Sequence, residues 1–136
     1  MDKNKFEVVE PLRSNRWLVK LSNTLQNIPE YVFSDFKLET EKIEIKGKTK
    51  QALKLTLHCY NTVSFLLTPD DVIDVKKIKI DFLDPTGVVL NYYNMNVELE
   101  KMSLIGDYGD SSLLTHELVF WVKNLDSLVI NEVIKK

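Results

Sequence analysis

The sequence predicts a mainly β protein: an antiparallel β-sandwich or barrel with one short flanking helix. Three observations carry this. Most of the chain alternates apolar and polar residues with a step of two, the pattern of strands with one buried and one wet face. Turn residues, scarce in a chain of 136 residues with 4 glycines and 4 prolines, fall between such runs, most plainly in FLDPTGVVLNYY (82–93). A single segment inside the domain carries helix-start chemistry. Sheets with one apolar face are covered most economically by packing on each other.

In RWLVKL (16–21), Trp17, Val19 and Leu21 share one face, with Arg16, Leu18 and Lys20 on the other. YVFSDFKLE (31–39) follows the turn around Pro29 as a second strand. EKIEIK (41–46) sets Ile43 and Ile45 against Lys42, Glu44 and Lys46, and ALKLTLHC (52–59) sets Leu53, Leu55, Leu57 and Cys59 against Lys54, Thr56 and His58. GKTKQ (47–51) between them makes a long hairpin with a basic tip. In TPDDVIDVKK (68–77), Thr68 caps a helix with Pro69 at its first position and Asp70 and Asp71 in its first turn, where the helix dipole favours negative charge.

Alternation returns in KIKIDF (77–82). In the DPTG turn, Asp84 accepts backbone N–H groups, Pro85 fixes φ, Thr86 follows, and Gly87 tolerates the left-handed conformation that closes the turn. It joins strand 77–83 to strand 88–95, with a bulge at the glycine. NVELEKMSL (96–104) and THELVFWVK (115–123) complete a set of seven or eight strands, with the loop IGDYGDSS (105–112) between these two. The tail LDSLVINEVIKK (125–136) fits strand by its β-branched residues and helix by the spacing of Leu125, Leu128, Val129 and Val133. The expected organisation is one domain over 1–136, with an N-terminal arm 1–13 and a C-terminal extension 124–136.

Composition narrows function. An apolar fraction of 44%, a charged fraction of 28% and a net charge of −2 describe a globular chain with no global basic footprint for nucleic acid. Cys59 is the single cysteine, so no intrachain disulfide or cysteine cluster is expected. The N-terminus lacks the apolar core of a signal peptide and no run is long enough for a bilayer, so no membrane partner is expected. His58 and His116 have no partner at metal-ligand spacing, and Cys59 points to the opposite face from His58. Asp110, Ser111, Ser112 and His116 are hydrolase residue types without a nucleophile elbow. Glu98 and Glu100 share a face with Asn96, as on a solvated strand. No cofactor, metal or catalytic residue is therefore expected. The lysines at 42, 46, 48, 50 and 54 form a basic patch that reads as a solvated hairpin, as half of a subunit contact, or, lacking interleaved aromatics, least well as a nucleic-acid site.

The stretch from Ile78 to Val122 resembles the C-terminal half of tail-tube proteins of contractile-tailed phages, which are related to the inner tube of type VI secretion systems. The matching residues are Asp84, Pro85, Thr86 and Gly87, then Tyr92, Tyr93, Asp107, Tyr108, Ser111 and Glu117, and SNRWLVKL (14–21) resembles the family's first strand. The resemblance implies a structural, non-enzymatic virion protein that assembles in the host cytoplasm. It implies a β-sandwich forming hexameric rings stacked into a tube, through which DNA passes without specific binding. The partners implied are other copies of itself and sheath, baseplate or terminator proteins. The arm before Ser14 and the tail beyond Lys123 depart from the family pattern. They leave open a tube initiator, a ring or terminator protein, or a baseplate component. A different class, a monomeric β-barrel for a small apolar ligand, stands as the alternative. On the tube reading, Lys46, Gly47, Lys48, Thr49 and Lys50 are the expected inter-ring contact, with Asp107 and Asp110 as counterpart. Glu44, Glu98 and Glu100 are the candidates for the lumen wall.

Overall fold

The computed structural model describes residues 12–13, 15–106 and 114–129. Among these, six strands form one antiparallel sheet in the order β1-β4-β5-β6-β3-β2. They are β1 Trp17–Leu21, β2 Phe33–Ile45, β3 Lys48–Tyr60, β4 Lys77–Leu83, β5 Val89–Ile105 and β6 Thr115–Val129. A 3₁₀ turn, Glu30–Val32, leads into β2, and the one α-helix among the described residues, α1 (Pro69–Val72), lies between β3 and β4.

The expected strands 31–39 and 41–46 are one strand, and so are 88–95 and 96–104. The splits came from phase changes in the apolar pattern. In β2, Phe36 and Leu38 pack on the core and pair with Leu57 and Leu55, whereas Ile43 and Ile45 lie on the opposite face. In β5, an irregularity between Leu99 and Lys101 shifts the parity so that Leu99 and Met102 both meet the core. The tail continues β6 as strand through Val129, paired with Asn91.

The sheet rolls onto itself. Strands lie roughly 4.8 Å apart, so the two edges of a flat six-stranded sheet would be about 24 Å from each other. Here Trp17 of edge strand β1 meets Phe36 of edge strand β2 edge-to-face at 4.9 Å, and Phe36 reaches Phe82 of β4 at 6.3 Å. The two halves of the folded sheet thus face each other as a sandwich. Between them lie Leu55, Leu57, Ile78, Ile80, Met95, Leu118 and Phe120, all fully buried.

Helix α1 is shorter than the expected 68–77. Val72 and Val75 are both buried, and the Lys76 carbonyl already accepts from Val97 N–H, so further helical turns would break the start of the β4 ladder. At its N-terminus, the Asp71 carboxylate accepts from Thr68 N–H at 2.8 Å, Thr68 Oγ1 at 3.0 Å and Gln26 Nε2 at 2.8 Å. Burial alone would raise the Asp71 pKa, but these donors outweigh it and hold it low.

At the β4–β5 turn, Asp84 Oδ1 accepts from Thr86 N–H, Thr86 Oγ1 and Val88 N–H at 2.7 to 3.0 Å. The Thr86 and Val88 donors hold the Asp84 carboxyl below its ordinary range. Gly87 closes the turn at φ +91, with open space where a Cβ would stand. Gly87→Val should therefore cost about 1–3 kcal/mol through backbone strain alone. A lowered urea midpoint with unchanged strand content checks this, and an unchanged midpoint contradicts it.

Candidate functional site: a hairpin arm and a charged sheet face

Strand β3 pairs with β6 only over Leu53–Tyr60. Residues 41–52 therefore leave the sheet as a two-stranded arm. Its turn is Lys46 at φ +52 and Gly47 at φ +77, both left-handed, the type I′ geometry that matches strand twist. Every residue from 44 to 51 is exposed. The register assigns the arm two different faces. One carries Ile43 opposite Lys50 and Ile45 opposite Lys48; the other carries Lys42 opposite Gln51 and Glu44 opposite Thr49. Lys46, Gly47, Lys48, Thr49 and Lys50 thus all sit at the end of the arm, and the lysines at 48 and 50 flank its two isoleucines.

Of the lumen candidates, Glu98 and Glu100 belong to the outward face of the body. Glu98 pairs with Lys123 at 3.5 Å, and Glu100 lies near enough to Lys54 to favour its charged form. Glu44 lies on the opposite sheet face, the continuation of the core side beyond the core. The three carboxylates do not share a surface. Asp107 and Asp110 lie outside the described residues.

The outward face is a lattice of opposite charges. Lys54 binds Glu41 at 3.2 Å, sits 5.4 Å from the Trp121 ring, and has its pKa raised chiefly by Glu41. Lys37 pairs with Glu39 at 3.5 Å. His58 is held at both ring nitrogens, Nδ1 by Asp35 of β2 and Nε2 by Glu117 of β6 at 3.1 Å. Each nitrogen faces its own carboxylate, so the ring is a bridge across three strands rather than a metal ligand. Near β1, the buried Asp81 carboxylate has no donor in hydrogen-bond geometry. Lys20 at 3.3 Å and Lys79 at 3.4 Å hold it by charge, and Lys79 also lies 4.3 Å from the Tyr92 ring.

His116 and Cys59 pair across β3 and β6 on the core side and are both buried. Burial lowers the His116 pKa, and Asn61 Nδ2 contacts its Nδ1 at 2.9 Å. Burial pushes the Cys59 thiol up to about 12, so it is a packing residue rather than a nucleophile. Among the described residues no cluster of three His, Cys, Asp or Glu could hold a metal, and no helix is long and apolar enough to cross a membrane. A cleft of about 740 Å³ opens beside the β1 and β2 edges, lined by Arg13, Trp17, Tyr31, Phe36 and Phe82 among others.

The His58 bridge was not visible in the sequence. Alternation placed His58 outside, but Asp35 and Glu117 are 23 and 59 residues away, and only the register brings them to it.

No family model matches the sequence, and no curated protein matches it. Solved structures do match. A chain of the anti-feeding prophage cap, its tube terminating cap, superposes with a TM-score of 0.62 at 14% identity, covering 90% of this chain and 93% of its own. The protein has a tail-tube-like fold. A chain of the PVC extracellular contractile injection system, in its sheath–tube complex in the extended state, gives 0.60 at 14% identity over 95% and 99%. A chain of the 6-fold symmetrised anti-feeding prophage baseplate gives 0.59 at 16% over 89% and 97%. At these identities the likeness is one of fold.

The His58 bridge should couple the stability of the tail-tube-like sheet to pH. The Asp35 bond chiefly raises the His58 pKa, burial opposes it and Glu117 adds to it, so the folded chain keeps this proton above the ordinary 6.5. The stabilisation is complete below the unfolded value and is lost as pH rises through the raised native one. The wild-type urea midpoint should fall between mildly acidic and mildly basic buffer. His58→Gln should lose that part of the slope, and an identical slope in both proteins contradicts the bridge.

Proposed function

We propose that this chain is a structural subunit of a contractile phage tail or tail-like injection system: a tail-tube protein whose hexameric rings stack around a channel for DNA. The observation that carries the reading is the tail-tube-like fold over nearly the whole chain, combined with an arm whose apolar and basic face, with Ile43 half-buried and Ile45 exposed, has no cover among the described residues. The chain acts by assembly in the virion, with other copies of itself and with sheath, baseplate or terminator proteins as partners, and catalyses nothing. The ligand-barrel alternative is less well supported. The space between the sheet halves is filled by fully buried side chains such as Phe120, Leu55 and Met95, and the cleft lies at the sheet edges instead.

In this reading the end of the arm, Lys46 to Lys50, is an axial contact between rings. Negative-stain images of the purified protein should show rings or tubes. Lys46→Glu with Lys48→Glu and Lys50→Glu should block stacking while leaving a folded subunit. A stable wild-type monomer of 15.8 kDa at all concentrations would contradict the reading. The likeness to a tube terminating cap favours one second reading, a terminal ring. Wild-type protein that stops at single rings would select it over the tube.

The outward face with Glu98 and Glu100 is the proposed lumen wall. On it Lys54 is paired with Glu41 and Lys123 with Glu98, so these two cations are already neutralised and have little counterion release to gain on meeting phosphate. Fluorescence anisotropy should therefore detect no appreciable binding of double-stranded DNA at physiological salt. Tight, steeply salt-dependent binding would make the lysine arm a nucleic-acid site and remove the tube reading.

A further inference from the structure

The arm's apolar–basic face has a complementary surface on the same molecule. Leu25, Leu66 and Ile73 are each more than half exposed. Gln26 Nε2 donates to the Leu66 carbonyl at 3.1 Å and to Asp71 at 2.8 Å, which ties the linker after β1, the loop after β3 and helix α1 into one surface. Asp70, in α1, and Asp74, just past its end, are both exposed and lie on either side of Ile73 in sequence. The patch is therefore apolar with an acidic rim. The arm offers Ile43 and Ile45 with Lys48 and Lys50 beside them.

The two surfaces lie far apart within one subunit. The arm ends at Lys48, and Leu66 follows the other end of the same strand, past Tyr60. Twelve strand steps separate those ends, roughly 40 Å. One subunit cannot join them, but successive subunits can. Two different patches that complement each other make a heterologous contact, which repeats head to tail instead of closing as a dimer.

The geometry points to the Leu66–Ile73 patch as the docking site for the hairpin arm of a second copy of this chain. This rests on the tube reading and names the receiving surface within it. Ile43 and Ile45 cover Leu25, Leu66 and Ile73, and Lys48 and Lys50 face Asp70 and Asp74. The expected counterpart loop with Asp107 and Asp110 then has no necessary part in the contact.

Cross-linking tests it. Ile45→Cys and Ile73→Cys in one chain replace two exposed residues, and native Cys59 is buried. Mild oxidation of the assembled double variant should give a ladder of covalent dimers, trimers and higher multimers, while each single variant gives no ladder. Separately, Asp70→Lys with Asp74→Lys should reduce sedimentable polymer at least about tenfold, and adding Lys48→Glu with Lys50→Glu should restore it, since the charges again complement. Wild-type polymer yield from Asp70→Lys with Asp74→Lys, together with no ladder, overturns this inference while leaving the tube reading intact. A wild-type chain that never self-associates overturns both.

Discussion

The structure depends on one strand pair. β5 and β6 run together from Asn91–Val129 to Ile105–Thr115, longer than either neighbour can match. β4 pairs with β5 only as far as Asn96, and β3 takes over on β6 from Val122, opposite Val97. Ladder irregularities between Asn96 and Val97 and between Leu99 and Lys101 fall at that hand-over. Bulges bend and twist the strand that holds them, so the shared pair turns where its neighbours change. That bend brings the β1–β4 half over the β2–β3 half and lets Trp17, Phe36, Phe82 and Tyr93 form an aromatic chain across the fold.

The same arrangement decides what the subunit leaves uncovered. β6 supports β3 only from Leu53 onward, so residues 41–52 must stand as a ribbon. A two-stranded ribbon is marginal in water, and β-branched residues on its face gain little until something covers them. The half-buried Ile43 and exposed Ile45 therefore support the proposal that another chain completes this segment.

Much of this was legible in the sequence, for identifiable reasons. Strict alternation in 52–59 and 77–82 fixed β3 and β4, because each turns one apolar face to the core and carries polar residues on the other, of which Asp81 in β4 is buried. Pro69 followed by Asp70 and Asp71 marked the start of α1, since those residues favour a helix N-terminus whatever surrounds it. Where it ends was not legible, because the β4 ladder decides that. The separation of Glu44 from Glu98 and Glu100 was equally out of reach: alternation shows which residues share a face within a strand, but only the register relates one strand's faces to another's. The same holds for His58, whose partners come from strands remote in sequence.

We propose that the arm is completed by assembly. Hydrogen exchange of the isolated subunit and of the assembled form measures this directly, because opening of a local ribbon need not involve the body of the sheet. The amides of residues 41–52 should exchange rapidly in the isolated subunit, while those of 53–60 are protected. In the assembled form both sets should be slow. An arm already as protected as 53–60 in the isolated subunit, or one that still exchanges rapidly after assembly, would show that assembly does not complete it.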